Sequence, residues 1–274
     1  VPEGDTLHRA AARLRPALAG AELLAFEAPR LVGDRPRPGE RIESVEAVGK
    51  HLLIAFSGGL TLQTHLRMTG SWHLHRTGER WRKPRHLMRC RIAVPGWEAV
   101  CFSAPVVRTW PTSLRGSAAD PIGHLGPDLT VVPGEQPGVA DPDAVDEAVA
   151  RMRRLVDPDV TIGEALLDQR VGSGIGNVYR SEVCWVCGVS PFAPVGRVDD
   201  ALASRLLATA SRLLQRNLGE GRRTTVPGGL AVYGRRGRPC RRCGTAVRST
   251  RVGEQARIVY WCPTCQPGPV PPGR

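Results

Sequence analysis

Apolar residues recur at helical spacing near the start of the chain, where Leu7, Ala11, Leu14 and Leu18 fall on one face of residues 6–18. Asp5 or Thr6 is the expected N-cap, and Gly20 lies just beyond the end. The period then shortens to that of strands. HLLIAFSGGLTLQTHL, from His51 to Leu66, reads as two strands folded at Ser57-Gly58-Gly59. CRIAVPGWEAVCF, from Cys90 to Phe102, reads as a second hairpin turning at Pro95-Gly96. Residues 1–120 are therefore expected to form a β-rich domain with one N-terminal helix.

Pro, Gly and Asp crowd residues 121–143, which suits a linker. Helical periodicity returns over 144–155, 162–169, 177–187 and 200–218, the last carrying Leu202, Leu206, Leu213 and Leu214 and stopping at Gly219. After Pro227-Gly228-Gly229 the pattern changes to short strands and paired cysteines. This predicts a helical domain over 144–228, a small cysteine module over 229–266 and a disordered tail, PGPVPPGR, over 267–274. No repeat of fixed period is present, no apolar run has the length of a membrane span, and no leader precedes the helix at Leu7. A cytoplasmic protein that does not enter a membrane is expected.

Charge narrows the class of partner. Thirty-eight Lys plus Arg against 26 Asp plus Glu give +12 over 274 residues, with pI about 10.2. Only Lys50 and Lys83 are lysines, so a GC-rich coding bias is visible. That bias explains arginine over lysine but not the positive excess, which points to a polyanion, in the first place nucleic acid.

In a reducing cytoplasm the eight cysteines are not a disulfide framework. Cys240-x2-Cys243-x18-Cys262-x2-Cys265 has the spacing of two metal-binding pairs, and four thiolates close a tetrahedral structural zinc site with no open position for catalysis. Arg235, Arg236, Arg238, Arg241, Arg242, Arg248, Arg251 and Arg257 surround it, as befits a module that grips phosphates. Cys184 and Cys187 share one face of a helical pattern and read as core, as do Cys90 and Cys101 in their strands. GSGIGNVYRSE, from Gly172 to Glu182, follows a helical segment and not the strand that a dinucleotide loop requires. A helix beginning at Asn177 offers free N–H groups to a phosphate, or is simply joined tightly to its predecessor.

Three single residues stand out. Lys50, at a turn marked by Gly49, reads by itself as a solvated surface lysine. Met68, just after a strand, reads by itself as a core methionine. Pro2, with Glu3 beside it, is a frayed end or a nucleophile. If Val1 is an initiator that is removed, Pro2 carries a free secondary amine, and an α-amine titrates at about 7.7–8.0, leaving a neutral, nucleophilic fraction at physiological pH.

Taken together, Pro2-Glu3-Gly4, GKHLL with Lys50, HLRMTGS with Met68, GIGNVYRSE with Asn177, and VYGRRGRPCRRCG followed by ARIVYWCPTCQ resemble the formamidopyrimidine-DNA glycosylase/endonuclease VIII family over nearly the full length. The resemblance implies a bacterial, actinobacterial source and an α+β multidomain fold. Its parts would be an N-terminal catalytic β-sandwich with one helix, a helix-two-turn-helix DNA-binding domain and a four-cysteine zinc finger holding one structural Zn2+. It implies a monomeric enzyme of base-excision repair, at work on the nucleoid, that removes oxidised bases from double-stranded DNA and cleaves abasic sites by β,δ-elimination. In that family Pro2 would attack C1′, Glu3 would act as acid/base in opening the sugar, and Lys50 would reach the target phosphate. Asn177 and Arg257 would hold flanking phosphates, and Met68 would fill the space left by the flipped base.

The sequence also departs from the family. Asp5-Thr6 stands where a second glutamate is common. Arg108-Thr109-Trp110 only loosely resembles the pair that wedges the opposite strand. Seven residues separate Thr225 from Tyr233, where members specific for 8-oxoguanine carry a long purine-capping insert. Pro2-Glu3-Gly4 and this short segment favour the endonuclease VIII branch and oxidised pyrimidines. The rival readings are a non-catalytic damaged-DNA-binding zinc protein, an RNA- or ribosome-associated zinc protein, and a member specific for 8-oxoguanine or formamidopyrimidine.

Overall fold

A computed structural model of the chain describes residues 1–131, 138–253 and 256–271. The chain divides into two compact units, Val1–His124 and Leu125–Arg274.

The first unit opens with helix α1 (Gly4–Leu18) and continues through strands β1 (Ala25–Glu27), β2 (Ile42–Val48), β3 (His51–Phe56), β4 (Leu60–His65), β5 (Ser71–Arg76), β6 (Met88–Val94), β7 (Trp97–Phe102) and β8 (Val106–Pro111). Among the described residues these strands form two antiparallel sheets of order β1-β6-β7-β5 and β2-β3-β4-β8. Their inner faces and the apolar stripe of α1 share one core, in which Leu7, Leu14 and Leu18 meet Ile42, Ile54, Phe56 and Leu62 from one sheet and Ile92, Val94 and Ala99 from the other. This is a β-sandwich with one helix. Both hairpins expected from the apolar pattern form, closing β3 on β4 and β6 on β7. Cys90 and Cys101 are register partners buried in that core.

The helix starts earlier than its composition suggests. Glu3, not Asp5 or Thr6, is the N-cap, with an extended backbone at φ −132° and ψ −172°. Its carboxylate faces the backbone N–H of Thr6, and its own N–H donates to Thr6 Oγ1 at 3.4 Å. This is a capping box with the usual residue types exchanged, which a search for Ser, Thr, Asp or Asn at the cap overlooks.

The second unit holds α2 (Pro142–Leu155), α3 (Ile162–Ala165), α4 (Asn177–Cys187), α5 (Asp200–Arg216) and the antiparallel pair β9 (Arg248–Val252) and β10 (Arg257–Trp261). Asp141, Thr161 and Asp199 cap α2, α3 and α5 through their side chains. α3 is shorter than the expected 162–169, because the N–H groups of Leu167 and Asp168 bond the carbonyls of Glu164 and Ala165, three residues back, and end the α-helical pairing in a tighter turn. α5 stops at Arg216, short of the expected 218, where the Asn217 amide bonds the Leu213 carbonyl and the backbone of Thr224. α4 is central, buried on every side from Val178 to Trp185. One core joins α2 to α5, while the cysteine module gathers Ala231, Val232 and Val247 into a second small core around Trp185 of α4.

Of the expected linker, Leu129 is buried in the helical core, and residues 132–137 lie outside the described residues. In the expected tail, Ser190 Oγ donates to the Pro269 carbonyl at 2.6 Å, and residues 272–274 lie outside the described residues. No described helix is long and apolar enough to cross a membrane.

Candidate active site and nucleic-acid interface

In the first unit the reversed capping box sets the N-terminal residues. Glu3 is wholly buried at the start of α1, with Pro2 half-buried before it. Asp5 is also buried in the first helical turn, where the aligned N–H groups favour a carboxylate. The Asp5-Thr6 pair thus has local work: Thr6 completes the capping box and its hydroxyl donates to Asp5 Oδ1 at 3.3 Å.

Lys50 sits half-buried in the tight β2–β3 turn, where Gly49 takes φ +56° and Val48 pairs with His51. Beside it lies a polar cluster that the sequence did not signal. Gln63 Oε1 accepts from Arg108 Nε at 2.7 Å and from Trp110 Nε1 at 3.2 Å, which turns its amide nitrogen toward His51 Nδ1 at 2.8 Å. His51 Nδ1 must then accept, so the ring carries its proton on Nε2. His65, edge-on to His51 with centroids 4.9 Å apart, accepts from the Arg67 N–H through Nδ1 at 3.2 Å and is fixed in the same tautomer. Burial, then His65 and Arg108, pulls His51 down to about 3, while burial, then Lys50 and Arg67, pulls His65 down to about 4. Both rings are uncharged at neutral pH, leaving the positive charge to Lys50, Arg67 and Arg108. Arg108-Thr109-Trp110 lies within β8, with Trp110 buried, so it forms no exposed wedge.

Met68 projects from the loop joining β4 to β5 and is 65% exposed, which rules out the core reading. The loop is tightly made: Gly70 N–H bonds the Leu66 carbonyl at 2.9 Å, and a Cβ on Gly70 would lie 2.6 Å from that oxygen. Arg67, next to Met68, holds φ +45°, an uncommon conformation for a side chain of its size.

In the second unit Asn177 is the first residue of α4, as expected, but its side chain is engaged. Nδ2 donates to the Ile258 carbonyl of β10 at 2.8 Å, and Oδ1 accepts from the buried Arg180, which also reaches Ile258 O at 3.2 Å. Asn177 therefore ties the helix to the hairpin that carries Arg257. Arg257, Arg180 and Arg170 line one cleft, with Val252 and Gly253 on its hairpin side.

Glu182 was not found from the sequence. Wholly buried, its carboxylate accepts the N–H groups of Ala231 (2.7 Å), Val232 (2.9 Å) and Tyr233 (2.8 Å) and the hydroxyl of Thr225. These bonds clamp both ends of the short 225–233 segment onto α4.

The four cysteines of the finger converge. Their sulfur atoms all lie within 4.8 Å of one another, with Cys243–Cys262 at 3.5 Å and Cys240–Cys265 at 3.8 Å. A tetrahedral ion bound to four thiolates at about 2.3 Å requires edges of about 3.8 Å, so this cluster fits a metal ion. Trp185 Nε1 of α4 donates to Cys240 Sγ at 3.3 Å. Several of the surrounding arginines have structural partners: Arg241 bonds the carbonyls of Pro227 and Gly228, Arg242 stacks 4.1 Å above Trp185, and Arg235 donates to the Pro239 carbonyl at 2.8 Å. Cys184 and Cys187 stay apart from the cluster, as expected; burial pushes the Cys184 thiol up to about 12.

Comparison with known proteins agrees with this geometry. The formamidopyrimidine-DNA glycosylase N-terminal domain matches residues 1–105, and the formamidopyrimidine-DNA glycosylase H2TH domain matches residues 139–227. The chain is 44% identical to a probable endonuclease 8 2 of Streptomyces coelicolor, over 99% of this chain and 96% of that protein. It is 37% identical to the DNA-(apurinic or apyrimidinic site) lyase Nei2 of Mycolicibacterium smegmatis, over 97% and 99%. Among solved structures, the MutM (Fpg) protein of Thermus thermophilus superimposes with a TM-score of 0.75 at 27% identity, covering 98% of this chain and all of that one.

Proposed function

The chain belongs to the formamidopyrimidine-DNA glycosylase/endonuclease VIII family, and we propose that it is a bifunctional base-excision repair enzyme, a DNA glycosylase and abasic-site lyase acting through the Pro2 amine. The observation that carries the reading is Glu3, a carboxylate wholly buried at the head of α1 directly behind Pro2. With Val1 removed, the Pro2 nitrogen bonds C1′ of the damaged nucleotide as the glycosidic bond breaks and the base leaves. Glu3 protonates the sugar ring oxygen, the ring opens, and the resulting iminium acidifies C2′. Loss of that proton expels the 3′ phosphate, and a further elimination expels the 5′ phosphate. Lys50 holds the target phosphate, Arg257 and the N-terminus of α4 at Asn177 hold its neighbours, and Met68 enters the stack when the base flips out. The partner is double-stranded DNA, met in the cytoplasm by a monomer.

The substrate follows from the 225–233 segment. It is short, and Glu182 holds it on α4. A flipped purine needs stacking and hydrogen-bond partners to offset an unstacking cost of a few kcal/mol, and this segment has no length to supply a cap. Under single-turnover conditions on one duplex sequence, an abasic site is expected to be cleaved fastest. Thymine glycol and dihydrouracil should follow, with 8-oxoguanine opposite cytosine slowest. Faster excision of 8-oxoguanine than of either pyrimidine would overturn the branch assignment, and no cleavage of the abasic site would overturn the enzyme.

The cysteine cluster holds about one Zn2+ per chain in a structural role, since four protein thiolates leave no coordination site for substrate. Metal binding and local folding are coupled. Cys265→Ser is therefore expected to lose the metal and most of the DNA affinity while the far-ultraviolet helical signal persists. Metal content by mass spectrometry of natively purified protein checks this, and a metal-free wild type that binds DNA normally would refute it.

A further inference from the structure

The geometry points to a second DNA grip: the β5–β6 loop, residues 77–87, holds backbone phosphates of the duplex through Arg80, Arg82 and Lys83. This inference rests on the repair reading above. Residues 80–85 place four formal cations in six positions, and Glu79 is the sole acid of the loop. Glu79 turns back to accept the Arg76 N–H at 2.9 Å, and Arg85 lies 3.9 Å from Glu27, so the uncompensated charge concentrates on Arg80, Arg82 and Lys83. Arg80 and Arg82 are exposed.

The loop is a fixed platform. Trp81 sets its ring edge-on to Phe102 at 5.9 Å and donates Nε1–H to Glu98 at 2.9 Å, while Lys83 Nζ donates to Ser71 Oγ at 2.8 Å. Ser71 lies three residues beyond Met68, so the basic loop is anchored beside the loop that enters the DNA stack. The positive field is felt locally: burial, then Lys83, His75, Arg82 and Arg13, pulls His73 down to about 4. A solvated charge run has no need of such anchors, and like charges held together repel until a polyanion relieves them. The chemistry turned outward is guanidinium and ammonium, and the half-buried Trp81 ring is already engaged, edge-on to Phe102 and overlaid by the Arg85 guanidinium at 5.5 Å. The loop therefore suits phosphates, which fix register without reading sequence, and not stacked bases.

The test is equilibrium binding of the full chain to an undamaged duplex, and to the same duplex with a tetrahydrofuran abasic analogue, across a salt series. Each phosphate contact contributes about 0.9 to the slope of log K against log salt. Arg80→Ala with Arg82→Ala is expected to lower the slope by about 1.8 on both duplexes. With equal binding at 1 M salt, that is roughly a 60-fold loss of affinity at 0.1 M. Arg80→Lys with Arg82→Lys should restore the slope. An unchanged slope in the double alanine variant, the result if the loop instead docks an acidic protein, overturns the inference and leaves the repair reading standing. Failure of the wild type to bind either duplex overturns both.

Discussion

Acylating the Pro2 nitrogen, by a retained Val1 or by an N-terminal tag, is expected to abolish the borohydride-stable adduct with abasic DNA. In the amide the nitrogen lone pair is delocalised into the carbonyl, and the nucleophile is gone. A free α-amine titrating at about 7.7–8.0 keeps a substantial neutral fraction at neutral pH and needs no further activation to begin attack. The loss should be on the order of 10³-fold or more, the scale on which deleting a nucleophile acts. DNA binding should persist, because the proposed phosphate contacts come from Lys50, Arg257 and α4. Intact-mass analysis of the trapped species decides the matter: an adduct on a chain still carrying an acylated Pro2 would assign the chemistry to another group.

Glu3→Gln is expected to slow base excision by about 10²–10⁴-fold, the usual contribution of a positioned acid or base. The substitution keeps the shape of a side chain that is wholly buried and keeps a carbonyl oxygen to face the Thr6 N–H, so α1 retains its cap. Cleavage of a preformed abasic site should fall less, since its sugar already populates the ring-opened aldehyde, which Pro2 attacks without protonation of the ring oxygen by Glu3. Glu3→Ala separates the two roles. It removes the cap, worth about 1 kcal/mol, and should lower the thermal midpoint, whereas Glu3→Gln should leave it nearly unchanged. Equal activity of Glu3→Gln and wild type in single-turnover excision would remove Glu3 from the chemistry.

Much of this architecture is legible in one sequence, for reasons that differ by element. The two hairpins announce themselves because apolar runs flank Ser57-Gly58-Gly59 and Pro95-Gly96, and the four finger cysteines because metal coordination fixes their spacing. The start of α1 is less legible, since Glu3 and Thr6 exchange the customary places of the capping box. Gln63 and His51 look like the wet face of a strand, and only the register that brings β8 against β4 reveals that Arg108 and Trp110 satisfy the buried amide. Glu182 is harder still. A lone glutamate in a helix reads as solvated unless the helix is known to be buried all round, and its donors lie some fifty residues away, in a segment with no periodicity. Buried polar groups whose partners are distant backbone amides leave no local pattern to find.

That clamp also has a consequence for how the protein is made. Tyr233, the last of the amides bound by Glu182, is encoded 51 residues after it. At about 5–20 residues per second the ribosome needs roughly 3–10 seconds to supply it. During that interval the carboxylate at the centre of the helical unit has water in place of its permanent donors, and Trp185 still awaits the module that will cover it. The unit therefore completes its interior from the C-terminal side, late in synthesis. A nascent chain halted before residue 225 carries α4 with Glu182 and Trp185 both unmatched.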